Sequence, residues 1–404
     1  MILRPHLYIS DCHNQRFCIL DNQAMPFIKS ILFVLFTALV FTACRENYDP
    51  PAIANAPSIL VVDGFLNNSL TDSTYIHLSR TSKLSDGPQN GAEFGAQLSV
   101  DDDSGNPLYY SQEVGNGSYM FPGLYLDPAR KYKLHIHTAN GEEYLSDELI
   151  GAQTPPIDSI GFDKTDKGVD IYVNTHDPEN KTLYYRWEYT ETFQYHAEYN
   201  SPVIFIGNSE FIYRSADQQV YECWKTEPST NLLIATSSKL SQDIIYKSII
   251  RHVDQDAVEL SLKYFIKVRQ FALTKKAYEY LENLKKISEE TGSLFDIQPS
   301  QVDGNIHCLS NPGQDVLGYM TVATPSTKEV YITNAQVQPW NYSKDCYTYE
   351  LKPPQFPEVV TSGSPLGIEV EGGPYNVTGM IVAPVDCADC RVIGGVTSKP
   401  DFWQ

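Results

Sequence analysis

Three features of the 404-residue sequence predict a mainly β fold. From Ile59 onward, short runs that alternate apolar and polar residues are separated by Gly, Asn and Asp, as in strands joined by tight turns. Tyr and Phe, which favour strands, number 27 and 17. Leu126, Pro128 and Tyr132 precede an alternating strand and resemble the tyrosine corner of immunoglobulin-like sandwiches. We therefore predict an N-terminal immunoglobulin-like β-sandwich followed by a larger β-rich domain with one amphipathic helix.

The boundary between the two predicted domains lies in the stretch AQTPPIDSIGF, residues 152–162. Its two prolines remove backbone donors and stiffen the chain, which is typical of a linker between two cores. Residues 59–152 form the predicted sandwich, and residues 160–404 form the second domain. The stretch 44–58 is polar and rich in Pro and Ala, and it is interpreted as a tether.

One helix is predicted in the second domain, in the segment TKKAYEYLENLKKISEETG. Thr274 is a suitable N-cap, and Gly292 is a suitable residue just beyond the C-terminus. Apolar side chains recur along one stripe of this helix, so that one face can pack against the sheets. The stripe consists of Ala277, Tyr280, Leu281, Leu284 and Ile287.

An apolar run near the N-terminus, ILFVLFTALVFTAC, occupies residues 31–44. It is shorter than the ~20 apolar residues that a spanning helix needs, and Lys29 before it supplies the positive charge of a signal peptide. The small residues before Cys44 resemble the lipobox of bacterial lipoproteins, in which the cysteine carries the lipid. Residues 25–43 are therefore interpreted as a lipoprotein signal peptide, and Cys44 as the lipidation site.

The first 24 residues do not fit this interpretation of the N-terminus. They are polar, mixed in charge and contain two cysteines, unlike the short basic region that begins a signal peptide. Met25 is the better start, and residues 1–24 are interpreted as a misannotated upstream segment.

The formal net charge of the chain is −20. A protein this acidic repels nucleic acid and anionic lipid headgroups, so no nucleic-acid partner is predicted. Attachment to a membrane is therefore expected through the lipid on Cys44 rather than through charge.

Export to an oxidising compartment favours disulfides among the five cysteines that follow Cys44. An odd number implies one free thiol, and Cys308, in the stretch GNIHCLSNPG, is interpreted as unpaired and in a loop. The CADC spacing also occurs in zinc half-sites and redox motifs, but a second cysteine pair or a histidine pair at ligand spacing is absent. The disulfide candidates, whose connectivity stays open, are Cys223, Cys346, Cys387 and Cys390.

Aromatic residues occupy odd-numbered positions in the segment TLYYRWEYTETFQYHAEY. Alternation places them on one face of a strand, and such a row usually forms the core face of a sheet. A flat row of rings can also stack on sugars or anchor a protein partner, so the same residues are candidate binding aromatics. They are Tyr185, Trp187, Tyr189, Phe193, Tyr195 and Tyr199.

Motifs of common enzyme families are missing from the sequence, including the serine-hydrolase elbow, the phosphate-binding loop, the dinucleotide glycine pattern and the zinc-protease helix motif. His135 and His137 share a strand face, but the sequence identifies no third ligand, so neither a metal site nor a cofactor is predicted. The stretch DDDSGN, residues 101–106, lacks the downstream Glu of a calcium loop and is interpreted as a hairpin turn. No catalytic residue is predicted, and we expect a protein that is not an enzyme.

The predicted helix with the following FDIQPSQVDGNI, and the closing CADCRVIGGVTSKPDFW, are the most specific of several distinctive stretches. Together with SILVVDGFLNN and TPPIDSI, they resemble a lipoprotein family of the Bacteroidota outer membrane, catalogued as domain of unknown function 4249. The resemblance runs from about residue 44 to the C-terminus. It implies a surface or outer-membrane lipoprotein, often encoded beside a TonB-dependent receptor, and it carries over no catalytic residue.

The combined expectation is a non-enzymatic outer-membrane lipoprotein, lipid-anchored and facing the cell surface, that acts as an accessory or binding subunit of a TonB-dependent outer-membrane receptor. An alternative is a structural or adhesive surface lipoprotein, or a component of an envelope-assembly complex. A third class, a glycan-degrading enzyme, requires two carboxylates facing each other across a cleft. The sequence leaves open the ligand, the partner barrel, the oligomeric state and the face of the membrane.

Overall fold

The computed structural model of the chain describes residues 58–82, 91–207, 210–289, 303–359, 363–371 and 376–404. The expected signal peptide, Cys44 and Gly292 lie outside these residues. Strands dominate the described part of the chain, which confirms the predicted mainly β fold. Among the described residues, no helix combines the length and the apolar character that crossing a membrane requires.

The strands alternate in burial, because successive side chains point to opposite faces of a sheet. In the segment 74–78, for example, every second side chain is buried. The strands up to the predicted domain boundary are β1 (Leu60–Gly64), β2 (Leu66–Asn67), β3 (Thr74–Arg80), β4 (Gln97–Asp102), β5 (Pro107–Tyr110), β6 (Gln112–Gly115), β7 (Ser118–Phe121), β8 (Lys131–His137), β9 (Glu143–Ser146) and β10 (Leu149–Gln153).

The remaining strands lie before and after the one long helix of the described residues. Before it come β11 (Ile157–Lys164), β12 (Gly168–His176), β13 (Tyr184–His196), β14 (Val203–Gly207), β15 (Glu210–Tyr213), β16 (Glu222–Pro228), β17 (Leu233–Thr236), β18 (Ile244–Asp254) and β19 (Lys263–Ala272). After it come β20 (Ile306–Cys308), β21 (Val316–Leu317), β22 (Val322–Thr324), β23 (Ser326–Thr333), β24 (Tyr349–Leu351), β25 (Ser364–Val370) and β26 (Val377–Ala383). The helices are α1 (Lys275–Glu289), α2 (Asn334–Val337) and α3 (Val385–Ala388), with 3-10 helices at Ala216–Gln218, Val258–Leu260, Pro353–Glu358 and Cys390–Ile393.

Two sheets share the first hydrophobic core. Their strand orders are β21-β1-β3-β7-β6 and β2-β22-β10-β8-β4-β5, with β9 joining β8 to β20. The strands β21 and β22 lie beyond the predicted boundary at 152–162, yet β21 pairs in parallel with β1, and β22 with β2 and β10. A segment from the second half of the sequence therefore completes the first core, while the domain limits 59–152 and 160–404 stay a prediction.

The predicted tyrosine corner is present at the start of β8. The hydroxyl oxygen of Tyr132 accepts a hydrogen bond from the backbone N–H of Asp127 at 2.8 Å, and Leu126 beside it is fully buried. This bond ties the chain before β8 to the strand itself. The two sheets are consistent with a β-sandwich, and its immunoglobulin-like character stays a prediction.

The turn predicted at residues 101–106 joins β4 to β5. The Oδ1 atom of Asp102 accepts hydrogen bonds from the backbone N–H groups of Ser104 and Asn106, both at 2.9 Å. Gly105 has φ +83°, a left-handed conformation that glycine adopts without steric cost. The hairpin interpretation is therefore confirmed.

The second core lies between the sheets β11-β12-β18 and β16-β13-β19-β23, with β17 beside β13. The predicted aromatic row forms the inner face of β13: Tyr185, Trp187, Tyr189, Phe193 and Tyr195 are all buried. The interpretation of these five as exposed binding aromatics is therefore wrong, because a buried ring cannot form a platform at the surface. Tyr199, beyond the end of β13, is partly buried and donates its hydroxyl to the carbonyl oxygen of Cys346 at 3.2 Å.

The predicted helix is α1, and its N-cap is confirmed: Thr274 Oγ1 accepts a hydrogen bond from the backbone N–H of Ala277 at 3.2 Å. Within the predicted stripe, Ala277 is buried, Tyr280, Leu281 and Ile287 are half-buried, and Leu284 is exposed. Tyr280 of the stripe and Tyr278 beside it make ring contacts with neighbouring segments. These contacts are Tyr278 with Tyr184 at 5.1 Å and Tyr280 with Tyr319 at 5.4 Å between ring centroids.

All four candidate cysteines form disulfides. One bridge joins Cys223 on β16 to Cys390 at the start of the last 3-10 helix, and the other joins Cys346 to Cys387 in α3. The two cysteines of the CADC stretch thus bind different partners, which leaves neither thiol for zinc. Near the second bridge, a small third core contains β24, β25 and β26.

Cys308 is free and buried. The prediction that it lies in a loop is wrong, since it ends the short strand β20 and pairs with Tyr144 of β9. Its burial in the first core accounts for a thiol without a partner, because a buried free cysteine behaves as a small apolar side chain.

Candidate functional site

A cleft of about 420 Å³ lies where the first core meets the second. One wall comes from the end of β1 and from β2 and β3, and the other from β13, β19 and the loop 228–232. Phe65, between β1 and β2, packs on Phe271 of β19 with ring centroids 4.3 Å apart. This contact holds the two walls together at one end of the cleft.

Asn67 and Thr74 are buried polar residues of the cleft. The side chain of Asn67 is only 1% exposed, and neither Nδ2 nor Oδ1 has a hydrogen-bond partner in the described part of the chain. Its backbone N–H, by contrast, donates to Thr74 Oγ1 at 2.9 Å, which fixes the position of the residue. A buried polar group without a partner costs about 1–3 kcal/mol, so such a group requires an explanation.

The neighbouring residue, Asn68, is also an asparagine, but its amide makes hydrogen bonds within the fold. Its Nδ2 donates to the carbonyl oxygen of Leu126 at 2.9 Å, and its Oδ1 accepts from the N–H of Leu126 at 2.7 Å. Asn68 is thus satisfied within the fold, whereas Asn67 lines the cleft and neither atom of its amide has a partner among the described residues. The contrast makes Asn67 a candidate for contact with a ligand.

A carboxylate between two guanidinium groups forms the opposite wall. Arg186 Nη2 donates to Glu188 Oε1 at 2.6 Å, and Arg269 Nη2 donates to Oε2 at 2.9 Å. The guanidinium of Arg186 also lies over the Phe65 ring, 5.5 Å from its centroid. These contacts hold the three charged side chains in place, and the other N–H groups of both guanidiniums have no partner among the described residues.

Tyr75 and His77 line the cleft from β3 on the side that faces solvent. The Tyr75 side chain is 52% exposed, so its ring is available to a ligand. His77 Nδ1 and the hydroxyl of Ser118 are hydrogen-bonded at 2.7 Å, which orients the imidazole. Asp63 lies exposed on the same wall and adds a second carboxylate.

Three charged groups of the cleft are tied to one another. Glu188 is held between two cationic groups, and each of its oxygens already accepts a hydrogen bond. The described lining contains two acidic side chains and two cationic ones, so their formal charges cancel. His77 is not included in this sum. The cleft can therefore offer hydrogen bonds and an exposed ring to a ligand that carries no large charge.

Potential metal ligands converge away from this cleft. In the described part of the chain, His135, His137 and Glu143 are a group that could hold a metal ion. The alternation of β8 predicted that the two histidines share a face, whereas Glu143 was not predicted.

Two residues of the cleft lining, Trp187 and Tyr189, belong to the predicted aromatic row, although both side chains are buried. Asn67, Arg186 and Glu188 were not predicted from the sequence. Asn67 and Asn68 are adjacent and chemically identical, and Arg186 and Glu188 occupy the even-numbered positions of the aromatic segment. One signal was available: if the aromatic face of β13 is the core face, the charged side chains between the rings must lie on the opposite face. That signal could have identified Arg186 and Glu188, but not the wall formed by β2 and β3.

Comparison with known proteins shows one family relationship. The family model for a domain of unknown function, DUF4249, matches residues 45–329. No curated protein matches the chain. A solved chain from the work "Complete structure of manganese lipoxygenase of Gaeumannomyces graminis and partial structure of zonadhesin of Komagataella pastoris" is 9% identical, and the alignment covers 55% of this chain and 91% of that chain. Its TM-score of 0.14 supports no inference about fold or function. Because the family match spans more than half of the sequence, the protein belongs to the family described as a domain of unknown function, DUF4249.

Proposed function

We propose that the protein is a lipid-anchored outer-membrane lipoprotein that binds a neutral polar ligand in the cleft around Asn67 and serves as the binding subunit of a TonB-dependent receptor. The observation that carries the binding role is the buried amide of Asn67, which has neither a donor partner nor an acceptor partner among the described residues. A ligand with hydroxyl or amide groups would satisfy both atoms and offset the cost of their burial.

The chemistry of the walls favours a short oligosaccharide. Arg186 and Arg269 share the charge of Glu188, and Asp63 on the other wall balances the remaining positive charge, so the free N–H groups of the two arginines are donors for neutral oxygens. The half-exposed ring of Tyr75 offers a flat apolar surface, on which the C–H face of a sugar ring can stack. The polar groups would then fix the orientation of the sugar.

The lipoprotein and receptor parts of the proposal rest on the sequence. The apolar run before Cys44 fits a lipoprotein signal peptide, and the resemblance to the Bacteroidota family implies a TonB-dependent partner. A lipid anchor followed by the polar tether 44–58 would keep the cleft near the barrel and raise its effective concentration there.

Ligand binding is tested on the purified full chain by calorimetry against neutral oligosaccharides, with short neutral peptides and anionic sugars as comparison sets. The expected result is saturable binding of a neutral oligosaccharide, weakened at least about tenfold by Asn67→Leu and by Tyr75→Ala. The matched control is Tyr213→Ala, which removes an exposed tyrosine outside the cleft and should leave the affinity unchanged. Preference for an anionic ligand, or equal binding by Asn67→Leu, would contradict the proposal.

The partnership is tested separately, by affinity purification of a C-terminally tagged chain from detergent-solubilised outer membranes. Recovery of a TonB-dependent barrel in near-equal amounts is expected, and Cys44→Ala should move the protein out of the membrane fraction. Protease treatment of intact cells, followed by a blot for the tag, tests whether the protein faces the cell surface. Recovery of the tagged chain without any barrel would overturn the partnership, whatever the cleft binds.

One observation favours the alternative, a structural or adhesive surface protein. The strand β18 is at the edge of its sheet, and three of its apolar side chains are exposed, namely Ile244, Tyr246 and Ile249. Exposed apolar groups on an edge strand are suited to contact with another protein. If Tyr246→Lys abolishes attachment to cells or matrix while Asn67→Leu does not, the adhesive role is the correct one.

A further inference from the structure

The two histidines of β8 meet a carboxylate from the next strand. His137 pairs directly with Glu143 across the β8–β9 hairpin, and His135 lies two residues earlier on the same face. The rings of His135 and His137 are 4.4 Å apart between centroids. One ligand atom from each of the three residues lies within 4.8 Å of the other two.

A buried carboxylate orients His135 from behind. Asp101 on β4 is buried, and its Oδ2 lies 3.1 Å from His135 Nδ1. The other oxygen of Asp101 accepts a hydrogen bond from the hydroxyl of Ser99 at 2.6 Å, so the carboxylate is itself fixed. His135 therefore directs Nε2 away from Asp101 and toward Glu143, whose Oε1 lies at 2.7 Å. A carboxylate behind a histidine in this way is the usual outer partner of a metal-bound imidazole.

The backbone of Glu143 is also anchored. Its N–H donates to the hydroxyl of Ser310 at 2.8 Å, and its carbonyl oxygen accepts from the N–H of Leu309 at 2.7 Å. Both partners come from the segment after β20, which reinforces the hairpin on the side opposite β8. All three potential ligands thus project from strands that are held on both sides.

Both ring nitrogens of His135 face a carboxylate oxygen, Nδ1 that of Asp101 and Nε2 that of Glu143. A metal ion bound by Nε2 and by the Glu143 oxygen would take the place of the hydrogen bond between them. His137 Nε2, 3.8 Å from the same Glu143 oxygen, can add a third bond.

We propose that His135, His137 and Glu143 form a zinc site, with Asp101 as the residue that positions His135. Two imidazoles and one carboxylate are a ligand set that Zn²⁺ uses, with water in the fourth position. Tetrahedral Zn²⁺ with bonds of about 2.1 Å places its ligand atoms roughly 3.4 Å apart, so rotations of the exposed His137 and Glu143 side chains suffice to close the site. The ion would cross-link β8 and β9, and it is independent of the cleft and of the proposed ligand.

Zinc binding is measured on the purified full chain by competition with a chromophoric chelator, after dialysis against a stronger chelator. One equivalent is expected to bind, and Ca²⁺ is expected not to compete, because calcium prefers sites built entirely from oxygen. His137→Ala and Glu143→Ala each remove a ligand and should weaken binding by more than about 100-fold. Asp101→Asn should weaken it by about 10–100-fold, the range typical of an outer partner.

The matched control is His176→Ala. His176 is also an exposed strand histidine whose ring nitrogen lies 2.7 Å from a carboxylate, that of Asp158, but among the described residues no third ligand joins this pair. The zinc affinity of the His176→Ala variant should equal that of the unaltered chain. A visible absorption spectrum of four-coordinate Co²⁺ that is lost in His137→Ala would support the geometry independently. Equal zinc affinity in His137→Ala, or no stoichiometric binding by the unaltered chain, would overturn the proposal.

Discussion

Arg251 donates its Nε–H to Oε2 of Glu191 at 3.0 Å, and the hydroxyl of Tyr264 donates to the same oxygen. Glu191 is only 4% exposed, so its charge depends on these two donors. Burial lowers the pKa of Arg251, but the hydrogen bond and charge of Glu191 outweigh it and hold that pKa above its ordinary value. Burial and the same carboxylate raise the pKa of Tyr264 well above its usual range.

Glu191→Ala should therefore destabilise the second core. The substitution takes the acceptor from the buried Tyr264 hydroxyl and one of two carboxylate partners from Arg251, whose Nη2 also donates to Glu259 Oε1 at 3.1 Å. Because Glu259 remains, the loss should lie below the value of about 3–5 kcal/mol that is typical when a buried charge is left with no partner. The measurement is the free energy of unfolding from urea titration. Glu179→Ala, which removes an exposed carboxylate paired with the exposed Lys181, is the control and should change that free energy by less than about 1 kcal/mol. Equal effects of the two substitutions would show that Glu259 alone compensates Arg251.

The two disulfides should differ in their contribution to stability. Cys223 and Cys390 are 167 residues apart in sequence, whereas Cys346 and Cys387 are 41 apart. In the chain-entropy account, closing the longer loop contributes about 5 kcal/mol and closing the shorter loop about 4 kcal/mol. Replacing both cysteines of a bridge with alanine should thus lower the unfolding free energy more for the first bridge than for the second.

Each double variant removes at least one buried cysteine side chain, so their packing losses partly cancel in the comparison, although Cys346 is only partly buried. The C-terminal segment from Cys390 should also become more accessible to protease in the first variant, since its covalent link to β16 is lost. A larger loss of stability for the Cys346–Cys387 variant would contradict the chain-entropy account for this fold.

Acid should weaken the first core through Glu142. Its carboxylate accepts hydrogen bonds from Arg80 at 2.6 Å, Tyr144 at 2.8 Å and Asn140 at 3.0 Å. Burial raises the pKa of Glu142, but these bonds outweigh it and lower the pKa from 4.5 to about 2. A carboxyl whose pKa is lower in the folded state stabilises the fold above the unfolded value, and this contribution is lost as the pH falls from about 4.5 toward 2.

The ionised Glu142 should contribute about 1 kcal/mol to the free energy of unfolding, because solvent screens the Arg80–Glu142 pair this close to the surface. Unfolding free energies of the unaltered chain and of Glu142→Gln, measured from pH 6 to pH 2, should differ at the upper end and converge at the lower end. Glu148→Gln, which removes an exposed carboxylate paired with Lys131, serves as the control. A difference that stays constant over the whole range would exclude Glu142 as the titrating group.

Local patterns in the sequence predicted much of the fold. Alternation predicted the strands and the buried face of β13, Thr274 began the predicted helix, and Tyr132 formed its predicted corner. Each of these features depends on residues within a few positions of one another. Parallel pairing of β21 and β22 with β1 and β2 joins segments more than 200 residues apart, and such pairing leaves no local pattern.

The residues of the candidate sites also differ in whether a local sequence pattern could have predicted them. Glu143 could have been predicted as the third ligand, because the turn between β8 and β9 sets the register that places it opposite His137. Nothing local distinguishes Asn67 from Asn68, since Asn68 bonds to Leu126, 58 residues away, and Asn67 lines a cleft whose other wall comes from the second core.

Asn67→Leu should stabilise the protein while it abolishes binding in the cleft. Replacing an unpaired buried amide with an apolar side chain of similar shape removes a desolvation cost, so the unfolding free energy should rise by about 1 kcal/mol. The matched control, Asn68→Leu, breaks two hydrogen bonds to the backbone of Leu126 and should lower the same free energy by about 2 kcal/mol. Urea unfolding of both variants, together with calorimetry of the cleft ligand, measures the contrast. A loss of stability in Asn67→Leu comparable to that in Asn68→Leu would show that the Asn67 amide serves the fold rather than a ligand.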